Sequence, residues 1–415
     1  MELFPLFSGV TVLAAVFAWV NHRYLRLPTA IGVMAMALGL SLVVLLLRGI
    51  GLVDAASITS PLERLEFEDA VLDVWLAFLL FAGALHVDLG RLFGAARTIA
   101  LLATLGVLIT TFVVGGVVHV VAGWMGIELS FRVALVFGAL IAPTDPIAVL
   151  GILRSAGAPK RLETKITGES LFNDGVGVVL FTVVLALAGG GGEHAPHGEF
   201  EIARFFVWEV FGALALGLLA GWVAYRMLRA VEDAHLEVLL TFALACGLYA
   251  LCGRLHTSGP LAVVAAGLLI GNSGRTLAMG EDVRRRVDEF WELVDEILNV
   301  LLFVLIGLEI LILDLSGAAI ALGVLAIPIV LFARFAGTKL LLTLFGRGLD
   351  LPRHTATILT WGGLRGGISV ALALSIPPDF PARDLILTVT YLVVAFSILG
   401  QGLTIGPLIR RLQSA

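Results

Sequence analysis

The sequence is poor in charged residues and in cysteine. Asp, Glu, Lys and Arg make up only 14% of the 415 residues, against about 25% in typical soluble domains. The two cysteines, Cys246 and Cys252, lie on different faces of one predicted helix, which indicates neither a disulfide framework nor a metal site. No basic surface with interleaved aromatic residues favours a nucleic-acid partner. These shortages argue against a soluble or nucleic-acid-binding protein.

Apolar residues dominate the chain instead. They make up 59% of it, its mean hydropathy is +1.03, and apolar runs recur that are long enough to cross a hydrocarbon core about 30 Å thick. About thirteen such spans are predicted, at residues 4–21, 29–47, 70–88, 98–123, 131–153, 166–189, 204–225, 236–252, 258–272, 290–312, 317–345, 355–377 and 385–409. The sequence therefore predicts an all-α integral membrane protein, with residues 1–415 in a single membrane domain.

The positions of Lys and Arg predict the direction of each span. Short cytoplasmic loops of membrane proteins carry an excess of these residues. Most of the 27 Lys and Arg residues fall on alternate connections, from Arg23 and Arg26 after the first span to Arg410 and Arg411 after the last. We therefore expect a multi-pass protein with its N-terminus outside and its C-terminus in the cytoplasm. A short chain without long tails is typical of a bacterial inner membrane.

Two predicted spans are interrupted by residues that disfavour a helix. In the fifth span, Pro143 and Pro146 remove two helical N–H donors and clash with the preceding turn. In the twelfth, four glycines surround Leu364 and Arg365. Such residues can simply kink a membrane helix or allow close packing. Two breaks at corresponding places, each with a charged residue at its centre, are however typical of transporters with a site near the midplane.

The order of the two broken spans predicts their relative direction. They are an odd number of spans apart, so they cross the membrane in opposite senses. This offset predicts two inverted six-helix repeats, about 4–189 and about 236–409, joined by a linking helix at about 204–225. Spans five and twelve would then be crossed discontinuous helices, the architecture expected of an alternating-access carrier.

A polar face follows the first break, at the start of the sixth span. Glu169 and Asn173 lie one turn apart, as do Ser170 and Asp174, so all four share one face of the helix. An ionised carboxylate near the bilayer centre costs about 2.5–3.5 kcal/mol or more, so it needs a partner, a proton or a bound cation. A satisfied polar contact between helices is the alternative interpretation.

Oxygen ligands for a hard monovalent cation are available at these places. Asp174, Ser170, Asp145 and the loosened backbone at Thr144 supply carboxylate, hydroxyl and carbonyl oxygens, which hard ions prefer. If Asp174 holds either a proton or a cation, but not both, exchange follows without covalent chemistry. The sequence thus predicts a secondary antiporter that needs no cofactor beyond its transported ions. No metallopeptidase or nucleophile-elbow motif favours an enzyme.

Two other transport classes use similar ligands. A cation channel could use the same oxygens, but the chain has no repeated filter sequence. A cation-coupled solute symporter could use the same broken helices, but no spare polar pocket is indicated. Both remain alternatives to the antiporter.

Three runs of residues resemble those of the NhaP-type sodium/proton antiporters of the monovalent cation/proton antiporter family. They are Pro143-Thr-Asp-Pro146, Gly168-Glu-Ser-Leu-Phe-Asn-Asp174 and Gly362-Gly-Leu-Arg-Gly366. The resemblance extends, in order and spacing, over nearly the whole chain. It implies a homodimer in a lipid bilayer, and in each protomer a core domain would move against a dimerisation domain. Na⁺ is the expected cation, with Li⁺ or K⁺ as alternatives.

The resemblance also implies roles for the residues of the sixth span and the first break. Asp174 would carry the cation and the proton, with Ser170, Asp145 and the Thr144 carbonyl as further ligands of the monovalent metal ion. Asn173 would support the unwound strand. Relatives with two adjacent aspartates here are associated with electrogenic exchange, so a single carboxylate beside Asn173 implies electroneutral, one-for-one exchange.

Three further residues receive a structural role by the same resemblance, and one departs from it. Glu169 would pair with Arg334 in the eleventh span, and Arg365 would stabilise the crossing of the broken helices. His86 stands where similar proteins usually carry an acidic residue. It could modulate ion preference or pH response, because histidine titrates near neutrality; a histidine at the membrane interface is the other interpretation.

The tenth span carries an acidic stripe. Glu292, Asp295, Glu296 and Asn299 recur at spacings of three and four. The stripe could attract cations into a cytoplasmic funnel, or it could be a solvated face at the interface.

Overall fold

The computed structural model describes residues 3–52, 75–145, 153, 160–190, 199–274, 279–313, 315–345 and 354–413. Within these residues the fold is all-α, and the only β-type contact is one isolated bridge. We number the helices as follows: α1 (Leu3–Val20), α2 (Thr29–Gly49), α3 (Leu76–Leu85), α4 (Leu89–Trp124), α5 (Phe131–Ile141), α6 (Lys160–Leu185), α7 (Arg204–Leu228), α8 (Ala234–Leu255), α9 (Gly259–Gly274), α10 (Glu281–Glu309), α11 (Gly317–Phe345), α12 (Thr355–Trp361), α13 (Gly367–Leu374) and α14 (Arg383–Leu412).

Within the described residues, each predicted span overlaps one or two of these helices, and residues 70–74 and 146–152 of the third and fifth spans lie outside them. Among the helices of the described residues, seven are long and apolar enough to cross a membrane, and α3, α5 and α9 are shorter apolar helices. Hydropathy placed some boundaries wrongly. Helix α4 begins at Leu89 rather than at 98, because the Asp88 carboxylate caps its first turn by accepting hydrogen bonds from Gly90 N and Arg91 N. Helix α10 begins at Glu281 rather than at 290, since its first turns are polar and carry no hydropathy signal.

Close contacts between helices depend on small residues. A Cβ added at Gly138 of α5 would overlap the Thr111 carbonyl of α4, and one added at Gly217 of α7 would overlap the Ala262 carbonyl of α9. Lipid tails are as apolar as the helix surfaces, so the hydrophobic effect does not drive helices together in a membrane. Membrane helices associate largely through such close packing instead. The first of these contacts fixes α5, the helix that leads into the first break.

The two breaks lie against each other in the interior. Helix α5 ends at Ile141, α12 ends at Trp361, and α13 begins at Gly367. The backbone N–H of Asp145 donates to the Leu364 carbonyl at 2.8 Å, which forms the isolated antiparallel bridge. Pro146 and the remainder of the first predicted break lie outside the described residues. The structure thus brings together the interruptions of the fifth and twelfth predicted spans.

Candidate functional site

Arg365 joins the second break to the first. Its Nη1 donates hydrogen bonds to the Ala142 and Pro143 carbonyls, at 2.7 and 2.8 Å. These carbonyls lie just past the end of α5, where the helix has no further N–H groups to donate. Because an unsatisfied carbonyl inside a membrane is costly, the buried guanidinium stabilises the end of the broken helix.

Thr144 is held by two side chains of helix α6. The Thr144 N–H donates to Asn173 Oδ1 at 3.3 Å, and Asn173 Nδ2 donates to Thr144 Oγ1 at 2.8 Å. The Thr144 and Ser170 hydroxyls lie 3.1 Å apart and share a hydrogen bond. The extended strand of the first break is therefore fixed by one amide and one hydroxyl on consecutive turns of α6.

Two carboxylates lie beside these polar groups. Asp174 follows Ser170 by one turn of α6 and is 4% exposed, and Asp145 is 8% exposed. They are close enough for their charges to interact. Asp174 Oδ1 is buried and has no hydrogen-bond partner among the described residues. This oxygen is available for a proton or a cation.

Glu169 and Arg334 form a buried ion pair. Arg334 Nη2 of α11 contacts Glu169 Oε1 of α6, and the side chains are 3% and 1% exposed, respectively. The pair neutralises one carboxylate of α6 without using Asp174. It also links the helix that carries the candidate ligands to α11.

The acidic stripe of α10 divides in the structure. Glu292 and Glu296 are exposed, whereas Asp295 is half-buried and interacts electrostatically with Asp145. Asn299, one turn further along, is buried and donates from Nδ2 to the Asp295 carbonyl at 2.8 Å. Glu292 and Glu296 fit the interpretation as a solvated face, whereas the half-buried Asp295 and the buried Asn299 do not.

His86 lies at the end of α3. Its Nδ1 is 2.8 Å from the Ala82 carbonyl, so this nitrogen carries the hydrogen. Its Nε2 is 3.9 Å from Glu292 Oε1 of α10. The structure thus places His86 beside the acidic stripe of α10.

The arrangement offers oxygen ligands only. The Thr144 and Ser170 hydroxyls and the Asp145 and Asp174 carboxylates are the hard donors that alkali cations prefer. No thiol or imidazole lies among them, which disfavours soft transition metals. The site is suited to reversible binding of a small monovalent cation or of a proton.

Three comparisons with known proteins agree with this chemistry. The family model described as sodium/hydrogen exchanger, transmembrane, matches residues 11–411. The Na⁺/H⁺ antiporter NhaP of Pseudomonas aeruginosa is 48% identical over 415 residues, covering 99% of this chain and 97% of that protein. The Na⁺/H⁺ antiporter NhaH of Halobacillus dabanensis is 36% identical over 353 residues, covering 83% of this chain and 84% of that protein.

The fold also matches a solved structure. The sodium proton antiporter MjNhaP1 from Methanocaldococcus jannaschii, at pH 8, aligns with a TM-score of 0.78 over 100% of both chains, at 20% sequence identity. At this identity the match concerns the fold alone. It confirms the predicted all-α membrane fold.

Proposed function

This chain belongs to the transmembrane sodium/hydrogen exchanger family, and we propose that it exchanges a monovalent cation for protons, with both competing for Asp174. Na⁺ is the first candidate, because the curated relatives are named Na⁺/H⁺ antiporters. Li⁺ and K⁺ are the alternatives. The channel and the solute symporter are not favoured, since these relatives are antiporters.

The observation that carries the proposal is the buried, unpartnered Oδ1 of Asp174. A bare ionised carboxylate is unstable in this setting, so the occupied states are those with a proton or with a cation. Thr144, Ser170 and Asp145 provide the remaining oxygens for the cation. Exchange follows if the protein changes the side to which the site opens only when Asp174 is neutralised.

The proposed transporter has one site with alternating access and a defined orientation in the membrane. The crossed breaks support two inverted repeats that alternate the access of one site. The predicted orientation, N-terminus outside and C-terminus in the cytoplasm of a bacterial inner membrane, follows from the basic connections. The protein acts as a transporter rather than as an enzyme, and it needs no cofactor beyond the transported ions.

We also propose a homodimer. Helices α1 and α7 carry large exposed apolar side chains, among them Trp19, Trp208, Phe211 and Trp222. These side chains face lipid or a second copy of the chain. Mass measurement of the protein in small nanodiscs tests this: two copies per disc are expected, and single copies at all protein-to-disc ratios contradict the dimer.

Transport by reconstituted protein tests the exchange mechanism. Proteoliposomes with an internal pH indicator receive an outward or inward gradient of Na⁺, Li⁺ or K⁺. In wild type, protons are expected to move in the direction opposite to the cation flux, and Asp174→Asn is expected to abolish this proton movement. Asp384→Asn is the matched control, because Asp384 is 75% exposed at the start of α14, and it should exchange like wild type. Undiminished exchange in Asp174→Asn contradicts the proposal.

A further inference from the structure

Two buried polar residues of α14 lie against the second break. Ser397 and Gln401 begin and end a π-helical turn inside α14, and both are nearly inaccessible, at 0% and 3% exposure. A π-helical turn within an α-helix often marks a functional position. Polar side chains that are almost fully buried need hydrogen-bond partners. The partners of Ser397 and Gln401 indicate the role of the two residues.

The side chains of Ser397 and Gln401 hydrogen-bond to each other and to the second break. The Arg365 N–H donates to Ser397 Oγ at 2.9 Å, and the Ser397 hydroxyl donates to Gln401 Oε1 at 2.7 Å. Gln401 Nε2 lies 3.4 Å from the Thr360 carbonyl and 3.2 Å from the Trp361 carbonyl, and donates to both. The pair therefore satisfies the last carbonyls of α12 and a backbone N–H of the break that follows.

These contacts fix the orientation of the Gln401 amide. Only the NH₂ group can donate to two carbonyls, and only Oε1 can accept from the Ser397 hydroxyl. With the amide reversed, an oxygen would face both carbonyls and the Ser397 hydroxyl would lose its acceptor. The hydroxyl and the amide are thus a single unit, and removal of either member leaves buried backbone groups of the second break unpaired.

The first break is held in the same way. Ser170 and Asn173 of α6, the helix that follows that break, bond to Thr144. Ser397 and Gln401 of α14, the helix after the broken pair α12 and α13, bond to the second break. Each break is therefore held by a hydroxyl and an amide one turn apart, although only the first pair lies beside Asp174.

We propose that Ser397 and Gln401 are positioning residues for the bound cation. They hold the second break, whose Leu364 carbonyl accepts from Asp145 N and whose Arg365 side chain donates to the carbonyls of Ala142 and Pro143. Through these bonds the pair sets the position of Asp145 and Thr144 without contact with either. The transport part of this inference rests on the proposed function, whereas the structural part does not.

Two variants test the proposal, Ser397→Ala and Gln401→Met, with Thr404→Val as the matched control. Thr404 also lies on α14 and bonds to α12, accepting from Trp361 Nε1 at 2.8 Å, but it does not bond to the backbone of the break. Loss of a buried hydrogen bond of this kind lowers the equilibrium constant for the cation-binding arrangement by about fivefold. We expect the KM for Na⁺ to rise about fivefold in both variants, with the maximal rate within about twofold of wild type.

The pH profile supplies a signature that a general loss of packing would not produce. If cation affinity falls while proton affinity is unchanged, protons compete more strongly, and the acid limb of activity moves to higher pH by about 0.7 units for a fivefold change. Gln401→Glu can donate one hydrogen bond while protonated, so it is expected to fall between wild type and Gln401→Met. Thr404→Val should keep the wild-type KM and pH profile.

Hydrogen–deuterium exchange separates this proposal from the proposed function. Amides of residues 360–367 are expected to exchange at least about fivefold faster in Ser397→Ala and Gln401→Met than in wild type and Thr404→Val, whether or not the protein transports Na⁺. Unchanged exchange in this segment overturns the proposal. So does an equal loss of Na⁺ affinity in Thr404→Val. Absence of cation-dependent proton movement in wild type would instead contradict the proposed function, while the exchange measurement still tests the two residues.

Discussion

Among the side-chain interactions of single residues, the ion pair of Glu169 and Arg334 is expected to contribute most to the free energy of unfolding. Both side chains are almost fully buried, and removal of one partner of a buried ion pair leaves an uncompensated charge at about 3–5 kcal/mol. We expect Arg334→Met and Glu169→Gln each to destabilise the protein by about this amount. The double variant should be less destabilised than either single variant, because no charge is then left unpaired.

A double-mutant cycle in detergent measures this coupling. Thermal or denaturant unfolding of wild type, both single variants and the double variant gives the interaction energy directly. Lys339→Met on the same helix as Arg334 is a control for the loss of a positive charge, since the Lys339 ammonium lies over the Phe335 ring, 5.5 Å from its centroid. Additive effects of the two single variants would mean that the pair is not coupled as the geometry indicates.

Some features of the candidate site could be predicted from the sequence and others could not. The spacing of Glu169, Ser170, Asn173 and Asp174 placed them on one face, and the structure has three of them in contact with other elements. The proximity of Asp295 to Asp145 and the bonds of Gln401 to the second break were not predicted, because in both cases the partners come from helices distant in sequence. Helical periodicity relates residues three or four apart, and it carries no information about which helices meet.

At the scale of the elements, the crossing depends on a close approach at Gly366. A Cβ at this position would overlap the Asp145 side chain, although the backbone conformation itself (φ −129°, ψ −155°) is open to any residue. Gly366→Ala must therefore displace Asp145 or α13. Since misplacement of a ligand by about 1 Å can cost a site on the order of a hundredfold, we expect exchange to fall at least about tenfold.

The control for Gly366→Ala is Gly94→Ala in α4, where an added Cβ meets nothing within 4 Å. It should leave transport unchanged and stabilise the helix by about 0.5–1 kcal/mol, because alanine loses less backbone entropy than glycine. Cation-driven proton flux, normalised to protein per liposome, is the measurement. Equal fluxes for Gly366→Ala and wild type would show that the contact with Asp145 does not constrain the site.

The start of α8 gives a prediction about pH. Backbone N–H groups of Leu236 and His235 donate to the Asp233 carboxylate and hold the pKa of Asp233 below its usual value. The pKa of Asp233 is therefore lower in the folded than in the unfolded protein. The ionised cap stabilises the fold fully above the ordinary Asp pKa of about 3.9, and this stabilisation disappears as the pH falls through the lower folded-state pKa.

Asp233→Asn separates the charge from the cap, because asparagine is also a good N-cap. The difference in thermal midpoint between wild type and this variant is expected to shrink as the pH falls from about 5 towards 2. Asp233→Ala, which removes the cap, should be less stable than both at neutral pH. A difference between wild type and Asp233→Asn that stays constant over this range would contradict the pH argument.

Element boundaries were predictable where apolar runs ended abruptly and not where polar turns extended a helix. The helices of the described residues fall on the predicted spans, and both breaks lie where proline and glycine indicated them. The starts of α4 and α10 were missed because capping and charged first turns lie outside the hydropathy signal. The contact between the two breaks could be inferred only from their matching order.

At the scale of the whole molecule, the charges at the crossing bear on stoichiometry. The buried charged residues at the crossing are three carboxylates, Glu169, Asp145 and Asp174, and two guanidiniums, Arg334 and Arg365. Asn173, beside Asp174, is uncharged. With all three carboxylates ionised, this set carries one excess negative charge, which one bound proton or one monovalent cation neutralises. We therefore expect each transport cycle to exchange one cation for one proton, with no net charge moved.

A membrane potential tests this stoichiometry with high sensitivity. Moving one net charge across 100 mV is worth about 2.3 kcal/mol, which changes the equilibrium cation ratio by about fiftyfold. For one-for-one exchange the ratio of internal to external Na⁺ should equal the proton ratio at any imposed potential, in wild type and in the Asp384→Asn control. A Na⁺ ratio that follows the potential would mean that a second charge moves in each cycle. Asp145 and Asp295 are then the carboxylates to examine, because they interact electrostatically with each other beside the crossing.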